Sequence, residues 1–424
     1  MRRLLPLARR LVMMIGGEAM QSAFHFALNI LLLHRLSAES YGLFALAMVM
    51  GGVAITYVRS LTAVPASIWI GRESGRHRAH AYDVSFASGA FVLSVAISLV
   101  TILLMLAWDA TEIGSVGIFV LFWSFRSHLR VSNFALGRPA LVALSDLGFT
   151  AFSVLATGFV VWRGGDLLHE TFLALAVTNA LGVAIMLLGM RRPIRFTLRA
   201  SMRRRWLSLW RSVRWSALSA TTVTLQGQAM ALLVASFAGP AAYAPIAAVL
   251  VFFTPLRIVA GAIANMVQPE IARLVRRDDA AVWRLMGLWT LGLGLVGLAY
   301  GGLVLAVLPF VKSDVLAHAD GWLIGLFSWA IYFTTMLYVM PRITLESLGD
   351  FGTVALTTGI AAAFGMALIV ALLLLALPDW VLAGAAASEI MVAVLSWAAV
   401  SRRLAPREAG RPFSLRFLSG RSHG

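Results

Sequence analysis

Apolar residues fill the chain in long runs, broken by short polar stretches, from residue 11 to residue 400. A membrane-crossing helix needs roughly 20 mostly apolar residues. Twelve runs meet that length, at 11–33, 41–69, 82–108, 115–134, 141–162, 168–190, 215–237, 243–271, 282–311, 316–340, 351–377 and 380–400. Pro378 and Asp379 alone separate the last two. The pattern predicts an all-α integral membrane protein with twelve transmembrane helices in two six-helix lobes around a central cavity. The first lobe covers 1–190. A basic connector at 191–214 leads to the second lobe at 215–400, and a basic tail runs from 401 to 424.

Composition agrees with this reading. Of the 424 residues, 60% are hydrophobic and 13% charged, where a soluble chain carries about 25% charged. The formal net charge of +16 would suggest nucleic acid in a soluble protein. Here the arginines sit between the apolar runs, so membrane orientation accounts for them and no nucleic-acid partner is expected. With the N-terminus in the cytoplasm, thirty of the 35 Lys and Arg residues fall in inside segments, while Arg35, Arg163 and Lys312 fall outside. That asymmetry is a strong positive-inside signal and places both termini in the cytoplasm. Met1 to Arg10 is basic, and no small-residue cleavage site follows it. The first run therefore reads as a retained helix and not a cleaved signal peptide. With no cysteine, disulfides, thiolate metal sites and cysteine nucleophiles are excluded.

The connector mixes Trp206, Leu207, Leu209 and Trp210 with Arg203, Arg204, Arg205, Arg211 and Arg214. This suits an amphipathic helix on an anionic leaflet, and equally a solvated linker that sets topology. A weak internal repeat joins the two halves, as in secondary transporters. In Leu36-Ser-Ala-Glu-Ser-Tyr-Gly-Leu-Phe-Ala45 and Ala238-Gly-Pro-Ala-Ala-Tyr-Ala-Pro-Ile-Ala247, Tyr41 aligns with Tyr243 and Ala45 with Ala247; further on, Pro65 falls close to Pro269.

The stretch from Arg35 to Ala47, Arg-Leu-Ser-Ala-Glu-Ser-Tyr-Gly-Leu-Phe-Ala-Leu-Ala, resembles the first-loop signature of bacterial polysaccharide flippases, with Ser37-Ala38 where that family has Gly-Pro. Gly239-Pro240 stands at the matching place in the second half. Pro269-Glu-Ile-Ala-Arg-Leu274 resembles the end of the family's eighth helix. The resemblance covers the whole chain in helix count but specific residues only in these patches. The family shares a superfamily with multidrug and toxin extruders and lipid II flippases. It implies movement of an undecaprenyl-diphosphate-linked oligosaccharide from the inner to the outer leaflet of a bacterial cytoplasmic membrane. The implied partners are that glycan, membrane lipids, and a polysaccharide polymerase with its glycosyltransferases; no cofactor is implied.

Polar residues within spans are costly and mark a cavity or pathway by default. Glu18, Gln21, Ser22, His25 and Asn29 share one face of the first span; Glu18 also fits a surface acid paired with Arg10. Arg257, Gly261, Asn265 and Gln268 form a second stripe in the eighth span, where Pro255 is expected to kink the helix and free a carbonyl. Arg59 lies at similar depth in the second span. A guanidinium fork suits a diphosphate, and an ion pair with Asp146 or Glu18 is the competing reading for both arginines. Arg126 and Arg130, one turn apart, either line the cytoplasmic mouth or snorkel to headgroups, snorkelling being the expectation for one of them. Gln226, with Ser219 and Thr222, offers sugar contacts or helix-to-helix hydrogen bonds. Candidate ion-coupling residues are Glu18, Asp146 and Glu389.

Other motifs fail on context. The G-x-G-x-x-G of Gly292, Gly294 and Gly297 sits inside an apolar run without a βαβ unit. Lys312 follows Val311, so there is no Walker A lysine. No cluster has metal-ligand spacing. The loop from Gly71 to Arg78 reverses the charge order of the major-facilitator loop. The outside loops are too short for a glycan polymerase, ligase or glycosyltransferase surface, so no enzyme is expected. The remaining alternative is a cation-coupled exporter of small amphipathic molecules.

Overall fold

The computed structural model describes residues 4–72, 76–190, 197, 200–275, 278–317 and 319–404. The tail beyond 404, most of 191–199, and the side chains of Arg10, Ser219, Asn265 and Pro269 lie outside the described residues. The helices are α1 (Leu4–Leu33), α2 (Ala38–Val58), α3 (Val64–Arg72), α4 (Arg76–Ala107), α5 (Ile113–Ala135), α6 (Pro139–Arg163), α7 (Leu167–Gly189), α8 (Ala200–Ala238), α9 (Pro240–Leu274), α10 (Asp279–Val307), α11 (Gly321–Ser347), α12 (Phe351–Leu374) and α13 (Val381–Arg403). A π-helical segment, Arg59–Ala63, joins α2 to α3. Among the described residues there is no strand.

Local chemistry sets the helix starts. Ser37, Asp166, Asp278, Asp320 and Asp350 cap α2, α7, α10, α11 and α12, each side chain accepting the backbone N–H three residues on. The cap at Asp320 moves the tenth span to Gly321–Ser347, later than the hydropathy run at 316–340. Arg342 consequently lies within α11 and not in a loop. α8 begins well before its apolar stretch, and its first turns pack sideways. Leu209 and Val213 are buried with Ala66, Ile70 and Phe86, while the Trp206 ring meets Phe86 edge-on at 5.4 Å. The later part of the connector is thus continuous with the seventh span and docked on the first lobe.

Ten helices are long and apolar enough to cross a membrane, which makes this a multi-pass membrane protein. The two long helices outside that set are α1, with its polar stripe, and α5, with Arg126, His128 and Arg130.

In the first lobe α5 packs on α2, α4 and α7, and α6 on α1 and α7. In the second, α11 packs on α9, α10 and α13, while α12 lies against α8 and α13. The lobes meet where α2 runs along α8 and α9. Lipid supplies little hydrophobic drive for helix association, so close backbone approach matters. Ala45, Ala47 and Ala54 of α2 and Ala244, Ala247 and Ala248 of α9 are all buried in one cluster. At Gly42 a Cβ would collide with the carbonyl of Pro240. The two repeat segments noted in the sequence therefore touch each other at one end of this seam. Ser313 Oγ donates to Leu33 O at 2.7 Å on the same side.

The π segment has a local cause. Pro65 has no N–H to offer the preceding turn, and Val64 N–H pairs with Arg59 O in a wider loop. The carbonyl of Ser60 accepts instead from Ser216 Oγ of α8, at 2.7 Å. Pro255 does not interrupt α9, which runs unbroken through it. Tyr300 Oη donates to the nearby carbonyl of Phe252 at 2.8 Å.

Candidate functional site: an arginine-lined cavity and a carboxyl nest

A cavity of 230 Å³ opens between α1, the π segment and α5. Glu18, Gln21, Ser22 and His25 form one wall, Arg59 another, and Trp123, Arg126, Ser127 and Arg130 the third. Arg126 and Arg130 are four residues apart, so both project from one face of α5. They converge on Asp146 of α6. Arg126 Nη2 donates to Asp146 Oδ1 at 2.7 Å. Arg130 reaches both oxygens, Nε to Oδ1 and Nη2 to Oδ2, each at 3.0 Å. Gln21 Oε1 accepts from Arg126 Nη1 at 3.0 Å. The Arg126 guanidinium also lies 4.3 Å from the centroid of the Phe149 ring, a cation–π contact strengthened by desolvation. Gly17 makes room for the group, because a Cβ there would strike Asp146.

Burial decides how this cluster behaves. The Asp146 side chain is 0% exposed and that of Arg126 1%. A charge so placed is tolerated only when paired, and one carboxylate holds two guanidiniums. The Glu18 carboxylate, 62% exposed, stands 3.9 Å from Arg130. Arg59 is exposed and has no ion-pair partner among the described residues. Three guanidiniums thus face two carboxylates at this cavity, and the lining carries net positive charge. The buried Nδ1 of His25 has no hydrogen-bond partner within the described protein, and its ring leans on Trp123 at 5.4 Å. The expectation that one of Arg126 and Arg130 snorkels gives way here: Asp146 draws both inward.

A second polar site lies in the other lobe. Glu389 of α13 accepts from Gln226 Nε2 of α8 at 3.0 Å on Oε1. Its Oε2 meets Tyr338 Oη at 2.7 Å and Thr335 Oγ1 at 3.1 Å, both from α11. Among the described residues, no cation pairs with it directly.

The remaining sequence candidates separate. Asn29 turns away from the cavity, donating to His25 O at 2.7 Å. Arg257 is exposed on α9, outside this cavity, and has no ion-pair partner among the described residues. Gln268 donates to Glu346 at 3.4 Å. The structure therefore brings Glu18, Gln21, His25, Arg59, Arg126, Arg130 and Asp146 together, and sets Gln226 with Glu389 elsewhere. Trp123, Thr335 and Tyr338 are additions. The last two were legible as a polar stripe, Thr335, Tyr338, Arg342 and Glu346, at spacings of three and four.

The sequence matches no protein-family model and no curated protein. Solved structures do match. An inward-facing multidrug resistance MATE family transporter of the MOP superfamily aligns at 13% identity and TM-score 0.65, covering 91% of this chain and 94% of that one. The eukaryotic MATE transporter AtDTX14 aligns at 13% and 0.65, covering 94% and 98%. The lipid II flippase MurJ, in an inward closed conformation, aligns at 13% and 0.62, covering 92% and 87%. The chain therefore shares the fold of these three transporters. At such identities the likeness concerns the path of the chain, and the side chains must speak for the cargo.

Proposed function

We propose that this MOP-fold protein is an exporter that flips an undecaprenyl-diphosphate-linked oligosaccharide from the inner to the outer leaflet of a bacterial cytoplasmic membrane. The observation that carries the reading is the excess of guanidinium around the first-lobe cavity, with Arg59 exposed and unpaired among the described residues. An anionic diphosphate suits that lining, and Arg59 is the fork left to grip it. Arg130, already shared with Asp146, adds field; Gln21, Ser22 and His25 offer hydrogen bonds to the head. The lipid tail stays in the bilayer, so the protein supplies only a polar path, opened to each side by rocking of the lobes. Arg257, Gln226, Asn265 and Gln268 belong to later stations on that path.

An exporter of small amphipathic molecules is supported equally by the MATE likeness. Charge separates the two readings, since a net positive wall disfavours cationic cargo. The test is surface glycan in a strain lacking its own flippase, with membrane abundance checked for each variant. Hydrogen bonds to charged groups contribute about 1.5–3 kcal/mol, so Arg59→Ala should lower export on the order of tenfold to a hundredfold. Arg59→Lys should retain part of it. Full surface glycan from Arg59→Ala at normal abundance would remove the diphosphate from this cavity.

A further inference from the structure

The two lobes each hold a carboxylate within the helix bundle, but their surroundings differ in kind. Asp146 is clamped by two guanidiniums, and protonating it would strip both of their counterion. Glu389 is surrounded by neutral groups: an amide and two hydroxyls. A hydroxyl has one proton to give and lone pairs to accept with, and Thr335 has two partners for its single proton. Its Oγ1 lies 2.9 Å from Ile331 O, one turn back, and 3.1 Å from Glu389 Oε2. When Glu389 is ionised, Thr335 donates to it, and the carboxylate takes three hydrogen bonds. When Glu389 is protonated, the acid donates to Thr335 Oγ1, and Thr335 turns its own proton to Ile331 O. Both states are fully hydrogen-bonded, and a rotation of one hydroxyl connects them.

Beyond the nest, α11 continues the polar face toward the inner side. Tyr338 is followed one turn later by Arg342, which donates from Nε to Glu346 Oε1 at 3.1 Å. Glu346 in turn accepts from Gln268. The side chains of Arg342 and Glu346, at this end of the stripe, are 35% and 25% exposed. The Arg342 guanidinium is near enough to act electrostatically on Glu389. The groups facing the nest from α11 are Tyr332, Tyr338 and Arg342. The membrane part of α8 and the whole of α12 carry no titratable residue.

We propose that Glu389 is an exchangeable proton site, with Thr335 as its hydroxyl rotor and the Tyr338–Arg342–Glu346 face of α11 as its path to the inner side. The proton leaves Glu389 as H⁺ toward that face, the carboxylate keeps the electron pair, and Thr335 turns to donate to it. Asp146 takes no part. The direction of use rests on the exporter reading: the site fills from the outside and empties inward as cargo moves out.

The test is infrared difference spectroscopy of the full chain in liposomes as bath pH is stepped. The expected result is a protonated-carboxyl band that disappears as pH rises. It should be absent from Glu389→Gln, which keeps the amide-scale volume and neutral charge, and present in Asp146→Asn. Glu389→Asp should shift the band without removing it, a check independent of how well the Gln variant folds. Thr335→Val should move its frequency by deleting the acceptor. A pH-dependent band that persists unchanged in Glu389→Gln would overturn the proposal. So would a band that collapses on adding sodium chloride at fixed pH, which would make the site a cation site. Because no cargo is present, failure of the exporter reading leaves this outcome untouched. That reading is judged separately, by whether the wild type moves lipid-linked glycan at all.

Discussion

Removing the Asp146 carboxylate alone should do more damage than removing it together with Arg126. In the wild type one carboxylate neutralises two guanidiniums, and the Arg126 side chain is 1% exposed. With Asp146→Ala, Arg126 keeps, among the described residues, only Gln21, the carbonyl of Ser145 and the Phe149 ring as partners, none of which carries charge. Breaking a buried pair by deleting one partner costs about 3–5 kcal/mol, because the stranded charge cannot reach water. At roughly 2 °C per kcal/mol for a large domain, that is a fall in Tm of about 6–10 °C. The double variant Arg126→Met with Asp146→Ala removes both buried charges and leaves Arg130 near Glu18, 3.9 Å away in the wild type. It should recover most of the loss, giving a coupling between the sites of about 2 kcal/mol or more. The assay is thermal unfolding of purified protein, followed by monodispersity on size exclusion. An Asp146→Ala protein as stable as wild type, or a double variant no better than the single, would refute the account of this cluster.

Two further outcomes follow from contacts elsewhere. Gly42→Val should force α2 from the Pro240 carbonyl, costing about 1–3 kcal/mol as an overpacked seam and lowering export beyond any loss of membrane abundance. Between α11 and α12, Asp350 is held below the usual carboxylate range: burial pushes it up, but its hydrogen bonds from Thr353 and the Arg403 guanidinium outweigh that. A depressed carboxyl stabilises the fold above its ordinary value and loses that contribution as pH falls through the folded one. The stability gap between wild type and Arg403→Gln, below about 1 kcal/mol because Arg403 is largely exposed, should be measurable at neutral pH and close below about pH 4.

The long apolar runs carried the helical fold, because length and hydrophobicity are what a bilayer demands of a chain. Helix ends were harder. The Asp320 cap and the long entry into α8 override hydropathy, and neither is an apolar signal. Within the site, the stripe from Glu18 to His25 was readable from spacing on α1. The convergence of Arg126 and Arg130 on Asp146 was not, since it depends on how α5 packs relative to α6. Arg257 showed the limit from the other side: its depth in the eighth span resembles that of Arg59, yet only Arg59 lines the cavity. The nest at Glu389 was half visible, as an acid within a span. Gln226, Thr335 and Tyr338 all lie within apolar runs, but that they meet Glu389 depends on how α8, α11 and α13 pack together.

The most direct test of the exporter account is a flipping measurement with purified protein. Proteoliposomes carrying a fluorescent undecaprenyl-diphosphate oligosaccharide would be treated with an impermeant quencher, which reads how much probe reaches the outer leaflet. The account predicts that wild-type protein exposes probe from both leaflets, that Arg59→Ala leaves the inner-leaflet probe protected, and that a lipophilic cation does not compete. Protection of the inner leaflet in wild-type vesicles, or competition by the cation, would contradict it.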